Sequence, residues 1–150
     1  MARELHYKEV KGVKNSMRKI LIATHGYFAD GVMSSLKLLV GEREEITIIN
    51  AYVDETDVTK QYDAFFDKLS SDDEVIVFTD LYGGSVNQQL FNYPEPQKAI
   101  LITGFNLPIL LEVLLAPERI TKEKAHQLVE NCRSELKVVE PENKEEEAFF

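Results

Sequence analysis

Four short apolar runs constrain this chain more than anything else in it: ILIA at Ile20–Ala23, ITIINAY at Ile46–Tyr52, VIVF at Val75–Phe78 and ILIT at Ile100–Thr103. Each has the length of a strand, and each is apolar enough to be covered on both sides. Between them lie longer segments whose apolar residues recur at helical spacing, as in Val58, Tyr62, Phe65, Phe66 and Leu69. A sheet whose strands alternate with helices is parallel and needs a helix layer on each face. The expected fold is therefore α/β, an open doubly wound, mostly parallel sheet with helices on both faces.

In order, the pattern predicts a strand over 19–24, a helix over 29–40, a strand over 46–52 and a helix over 56–69 that Asp54 or Thr56 can cap. A strand over 74–79 and a helix over 85–91 follow, the helix halted by the two prolines of NYPEPQ. A strand over 98–103 precedes helices over 107–115 and 121–133, and the short run Leu136–Val139 reads as a fifth strand. The chain of 150 residues, 44% hydrophobic, can bury one substantial core. Residues 17–139 form that domain in this reading. Residues 1–16 read as a natural extension or an expression remnant, and residues 140–150, with five Glu and one Lys, as an acidic tail.

Several function classes are disfavoured at this level. The net charge of −9 opposes sequence-independent binding to nucleic acid or to anionic membrane. No apolar run approaches the roughly 20 residues that span a bilayer, and the charged amino terminus has no signal-like apolar stretch. A single cysteine, Cys132, cannot form an internal disulfide, which fits a reducing cytoplasm. No two histidines share metal-ligand spacing, so neither a metal nor any other cofactor is expected. His6 and His126 are read as having no chemical role. Neither G-x-x-x-x-G-K nor G-x-G-x-x-G is present, which weakens nucleotide binding.

In open α/β sheets, sites form beyond the carboxyl ends of the strands. Three loops there are rich in glycine and small polar residues: THGYFADG, TDLYGGSVN and TGFNLP. His25 ends the first strand and carries a nitrogen that can act as a nucleophile. Asp80 ends the third, where a carboxylate could bond one ring nitrogen and fix the tautomer. Gly83, Gly84 and Ser85 precede a helix whose amides could receive a phosphoryl group. Singly, each has an ordinary explanation: a helix-capping histidine, a turn aspartate, a loop with its cap. Together they supply a nucleophile, a carboxylate behind the ring and donors for the oxygens of a transferring phosphoryl group.

At these residues the chain resembles the enzyme IIA domain of the mannose-type (mannose, fructose, sorbose) sugar phosphotransferase system. ILIATHGYFADG is similar to the family's [ST]-H-G-x-x-A-x-G block. VFTDLYGGSVNQ is similar to D-L-x-G-G-[ST]-P-x-N, and ITGFNLPILLEVLL to G-x-N-x-P-M-L-x-E. The resemblance implies that His25 accepts a phosphoryl group through Nε2 and that Asp80 pairs with Nδ1. It also implies that Ser85, with the Gly83 and Gly84 backbone, contacts the phosphate, with Thr24 and Asn87 nearby. The implied partners are the phosphocarrier protein HPr, a IIB domain or subunit, and a membrane permease met only indirectly. Family members are homodimers in which the last strand crosses to the other subunit, here Leu136–Val139. Val86 stands where the family has proline, and Ile109 where methionine is common. Three other readings share parts of this pattern: a regulatory protein-binding module, the phosphotransfer subunit of a dihydroxyacetone kinase, and a receiver-like domain phosphorylated on Asp80. The last lacks the acidic pair such domains place after strand one.

Overall fold

A computed structural model describes residues 17–93 and 99–141. The expected extension, the proline-rich turn and nearly all of the acidic tail lie outside the described residues. The elements are β1 (Arg18–His25), α1 (Phe28–Val40), β2 (Ile46–Ala51), α2 (Val58–Asp67), β3 (Glu74–Thr79), α3 (Ser85–Phe91), β4 (Ile100–Thr103), α4 (Leu107–Leu115) and α5 (Lys122–Arg133). The four strands form a parallel sheet in the order β2-β1-β3-β4. The chain divides after Phe105 into two compact units.

In the first unit, alternation along the strands separates two buried faces. Leu21 and Ala23 of β1, Ile49 and Ala51 of β2, and Val75 and Val77 of β3 meet Val58, Tyr62, Phe65 and Phe66 of α2 and Val86 and Leu90 of α3. The other face carries Ile20, Ile22, Thr24, Ile76 and Phe78, also buried. There α1 is tied on by the Ala29 amide, which donates to Thr24 Oγ1 at 2.8 Å, and the Asp30 amide, which donates to Asn50 Oδ1 at 3.3 Å. Phe28 stacks on Phe105, whose ring meets Phe78 edge-on. Both faces are thus covered, as continuous apolar strands require.

The second unit packs α4 against α5, burying Ile109, Leu110 and Val113 of one and Ala125, Leu128 and Cys132 of the other. Asn106 caps α4 through Oδ1, which accepts from the Ile109 amide, and its Nδ2 donates to the Cys132 carbonyl at 2.7 Å.

One expectation needs correction. α2 begins at Val58 and its cap is Asp57, whose Oδ1 accepts from the Thr59 amide; Asp54 instead closes a turn on the Thr56 amide. A cap must sit one residue before the first helical position, and only Asp57 does. Leu136–Val139 pairs with no strand of the single chain, and Leu136, Val138 and Val139 are exposed. Strand pairing belongs to two segments, and the apolar pattern of this run does not provide the second.

Leu21 is fully buried and Leu38 is 87% exposed. Leu21→Ala is expected to lower unfolding free energy by about 2–5 kcal/mol, through lost transfer energy and the cavity left behind. Leu38→Ala should change it by no more than about 0.5 kcal/mol. Urea denaturation of the two variants checks the assignment of this face.

Candidate functional site

Strand register alone brings the first two site residues together. In the β1–β3 ladder Ala23 lies opposite Thr79, so the residue after Thr79 reaches the end of β1. That residue is Asp80. Its Oδ2 accepts from the His25 backbone amide at 2.9 Å and lies 3.0 Å from His25 Nδ1; Oδ1 is 3.2 Å from the same nitrogen and accepts from the Leu81 amide at 3.0 Å. A carboxylate can only accept, so Nδ1 carries the proton. In the neutral ring the lone pair then falls on Nε2.

Burial raises the Asp80 carboxyl, but the bonds from the His25 amide and ring, and the attraction of the imidazole, outweigh it. The group is held below the usual carboxylate range.

Nε2 faces the start of α3, 3.2 Å from Ser85 Oγ. With Nε2 as acceptor, the serine hydroxyl donates to it. Gly84 packs beside the ring, and a Cβ added there would stand 3.4 Å from His25 Cε1 and 3.2 Å from Leu81 Cβ. Gly83 turns the loop through the left-handed region, at φ 73°. The Gly83 amide donates to Asn87 Oδ1 at 3.1 Å and the Gly84 amide to the Leu81 carbonyl at 3.1 Å. In this state both glycines shape the loop while their amides serve it internally. The hydroxyl of Ser85 is the donor that meets the ring. Asn87 holds the loop to β3 by donating from Nδ2 to Thr79 Oγ1, which bonds Thr103 Oγ1 in turn.

His25 does not cap α1. Thr24, on the opposite face of the strand, receives the Ala29 amide of the first turn instead. The His25 side chain is 36% exposed and that of Asp80 is 11% exposed, so one ring nitrogen is anchored inside while the other meets the surface.

A fourth side chain reaches the site without any motif to announce it. Tyr52 follows β2, and its phenol donates to Ser85 Oγ at 2.9 Å while its ring lies 5.5 Å from the imidazole, tilted by 36°. Its φ is 65°, the only positive value among the described non-glycine residues. That conformation costs a residue with a Cβ roughly 1–2 kcal/mol. The signal available in the sequence was position: Tyr52, like His25 and Asp80, stands at the carboxyl end of a strand.

An imidazole held with a solvent-facing lone pair, backed by a carboxylate and flanked by hydroxyls, is equipped for nucleophilic attack and for carrying what it captures. The comparisons with known proteins bear on which chemistry this is. Residues 19–132 match the family model described as the phosphotransferase system fructose IIA component, EIIA-man. The chain belongs to that family.

Among its relatives, the mannose-specific EIIAB component of Escherichia coli K12 is 31% identical over 100 residues, which are 65% of this chain and 31% of that protein. The chain thus corresponds to under a third of that relative's length. The fructose-specific EIIA component of Bacillus subtilis is 26% identical over 140 residues, covering 86% of this chain and 96% of the other. A crystal structure from Klebsiella pneumoniae, assigned to a phosphoenolpyruvate-dependent sugar phosphotransferase system permease, superposes with a TM-score of 0.76 at 30% identity, covering 84% of this chain and 93% of that one.

The lowered Asp80 carboxyl sets a pH dependence. A group depressed on folding contributes stability fully above its unfolded value, near 3.9, and loses it as pH falls through the folded value. The stability advantage of wild type over Asp80→Asn should shrink steadily as pH falls below about pH 4. Denaturant unfolding across pH 2.5–7 measures it; a constant difference throughout would contradict the pairing.

Proposed function

We propose that this protein is the phosphoryl-carrier component of a sugar phosphotransferase system and that His25 is the carrier. The observation that supports this best is the division of labour on one ring: Nδ1 is bonded to Asp80 and Nε2 faces Ser85 at the surface. Nε2 attacks the phosphorus of a phosphorylated imidazole on HPr. A new N–P bond forms on His25 as the donor's N–P bond breaks, and the electron pair returns to the donor nitrogen. The Nδ1 proton stays against Asp80, which balances the positive charge that develops on the ring. Attack by a nitrogen of a IIB domain or subunit reverses these steps and delivers the group towards sugar entering through a permease on the cytoplasmic side.

In this reading Ser85, whose hydroxyl meets Nε2, donates to a phosphoryl oxygen, and the first-turn amides of α3, which have no acceptor within the helix, supply further donors. Transfer between two imidazoles has little driving force to supply, so alignment and donor placement suffice. The rim suits a protein donor: Tyr27, Leu81 and Tyr82, in the loops that follow His25 and Asp80, are each more than half exposed. The relatives are named for mannose and for fructose. The residues assembled here address a phosphoryl group and a protein surface, so the choice of sugar belongs to the other components.

The protein should take label from phosphorylated HPr, and the label should survive base, leave in acid and vanish in His25→Ala. Base-labile label would indicate an aspartyl phosphate, and label retained in His25→Ala would place the carrier elsewhere. The same reading makes the protein a homodimer through Leu136–Val139, whose exposed apolar side chains would add a strand to the other subunit's sheet. Light scattering should give twice the chain mass for the wild type and the single-chain mass for a variant ending at Ser134.

A further inference from the structure

Strand alternation gives Tyr52 a place it does not occupy. In β2, Ile49 and Ala51 point to the face covered by α2 and α3, while Asn50 bonds α1 on the other. The next residue would continue on the Asn50 side. At φ 65° the chain instead turns the phenol across the carboxyl end of β1 towards Ser85, the first residue of α3. A turn at this position needs only a residue that tolerates the left-handed region, and glycine or asparagine would meet that need with less strain. A bulky aromatic there is explained by what its side chain reaches.

What it reaches is the one hydroxyl that meets the nucleophile. Ser85 has a single proton and two acceptor lone pairs. With the Tyr52 phenol donating to one of those lone pairs, Ser85 is committed as an acceptor on that side and its own proton is directed to His25 Nε2. The chain of bonds then runs one way, from phenol to serine to Nε2 and, across the ring, from Nδ1–H to Asp80. Hydrogen bonds aligned in this way polarise one another, so each strengthens the next.

We propose that Tyr52 is a positioning residue for phosphoryl transfer: through Ser85 it holds the hydroxyl donor aimed at the point where the phosphoryl oxygens arrive. This rests on the reading of His25 as the carrier. When the Nε2 lone pair becomes an N–P bond, it no longer accepts, and the Ser85 proton swings a short distance to a phosphoryl oxygen while the phenol keeps the serine oxygen in place. The phenol makes no bond to phosphorus and exchanges no proton with it.

Tyr52→Phe keeps the ring against the imidazole and removes only the hydroxyl. At saturating phosphorylated HPr its rate of phosphoryl acceptance should fall about threefold to tenfold, the loss of one such bond, with the half-saturating concentration unchanged. In the free protein the ¹⁵N resonance of His25 Nε2 should move towards that of an imidazole with an unbonded lone pair. In a Ser85→Ala background, adding Tyr52→Phe should alter neither quantity. Wild-type rates and an unmoved Nε2 resonance in Tyr52→Phe would overturn the proposal, as would a full effect persisting without Ser85. A wild type that takes no label on His25 would instead overturn the underlying reading, and the ring spectra would still decide whether Tyr52 directs Ser85.

Discussion

The bond between His25 Nδ1 and Asp80 is the contact on which the site depends, and it is a consequence of two strands being neighbours. Because β1 and β3 run parallel with Ala23 opposite Thr79, the residues just past that pair must meet. The carboxylate answers two donors from one residue, the ring nitrogen and the backbone amide of His25. A shift of one residue in register would turn the His25 side chain to the face occupied by α1, where Thr24 now receives the Ala29 amide. The buried apolar residues that fix the register therefore also fix the chemistry.

From that anchor the rest of the site is assembled by loops with separate mechanical roles. Gly83 supplies a left-handed turn, Gly84 lets the loop lie beside the imidazole, and Asn87 straps the loop to β3 through Thr79. These contacts leave Ser85 little choice of position. Tyr52 approaches from the opposite side of β1, at the end of β2, so the ring of His25, at the end of β1, is addressed by residues that follow both flanking strands, β2 and β3. The backbone strain at Tyr52 is carried where packing and hydrogen bonding are dense enough to hold it, as strained residues at functional sites commonly are.

Much of this was legible in the sequence, for a physical reason. Both sheet faces are buried, so the strands announce themselves as apolar runs, and the site residues fall at their ends, where THG and DLYGGS break the pattern abruptly. β3, α3 and α4 begin and end where the periodicity places them. The start of α2 was misplaced because Asp54, Thr56 and Asp57 are all competent caps, and sequence does not say which one has helical backbone behind it. Leu136–Val139 has strand composition but finds no ladder within the described residues of one chain, because composition marks a segment that can pair and not the chain that supplies its partner. Tyr52 was invisible because a tyrosine after a strand is unremarkable until a backbone angle and a serine 33 positions later give it a role.

For the carrier role proposed for His25, the donors around its ring are better suited than a stronger phosphate site would be. A group that must accept a phosphoryl and then release it gains nothing from stabilising the phosphorylated resting state; such binding only deepens the well from which the next transfer must climb. The partners bonded to the His25 ring are a carboxylate and a hydroxyl, and the hydroxyl is itself bonded to a second hydroxyl. In that proposal the Ser85 proton serves the Nε2 lone pair when His25 is empty and a phosphoryl oxygen when it is loaded. Asp80, fixed on the far nitrogen, would face a ring that keeps its Nδ1 proton and so stays positively charged once the N–P bond has formed; in the proposed mechanism it offsets that charge both during the transfer and in the loaded state.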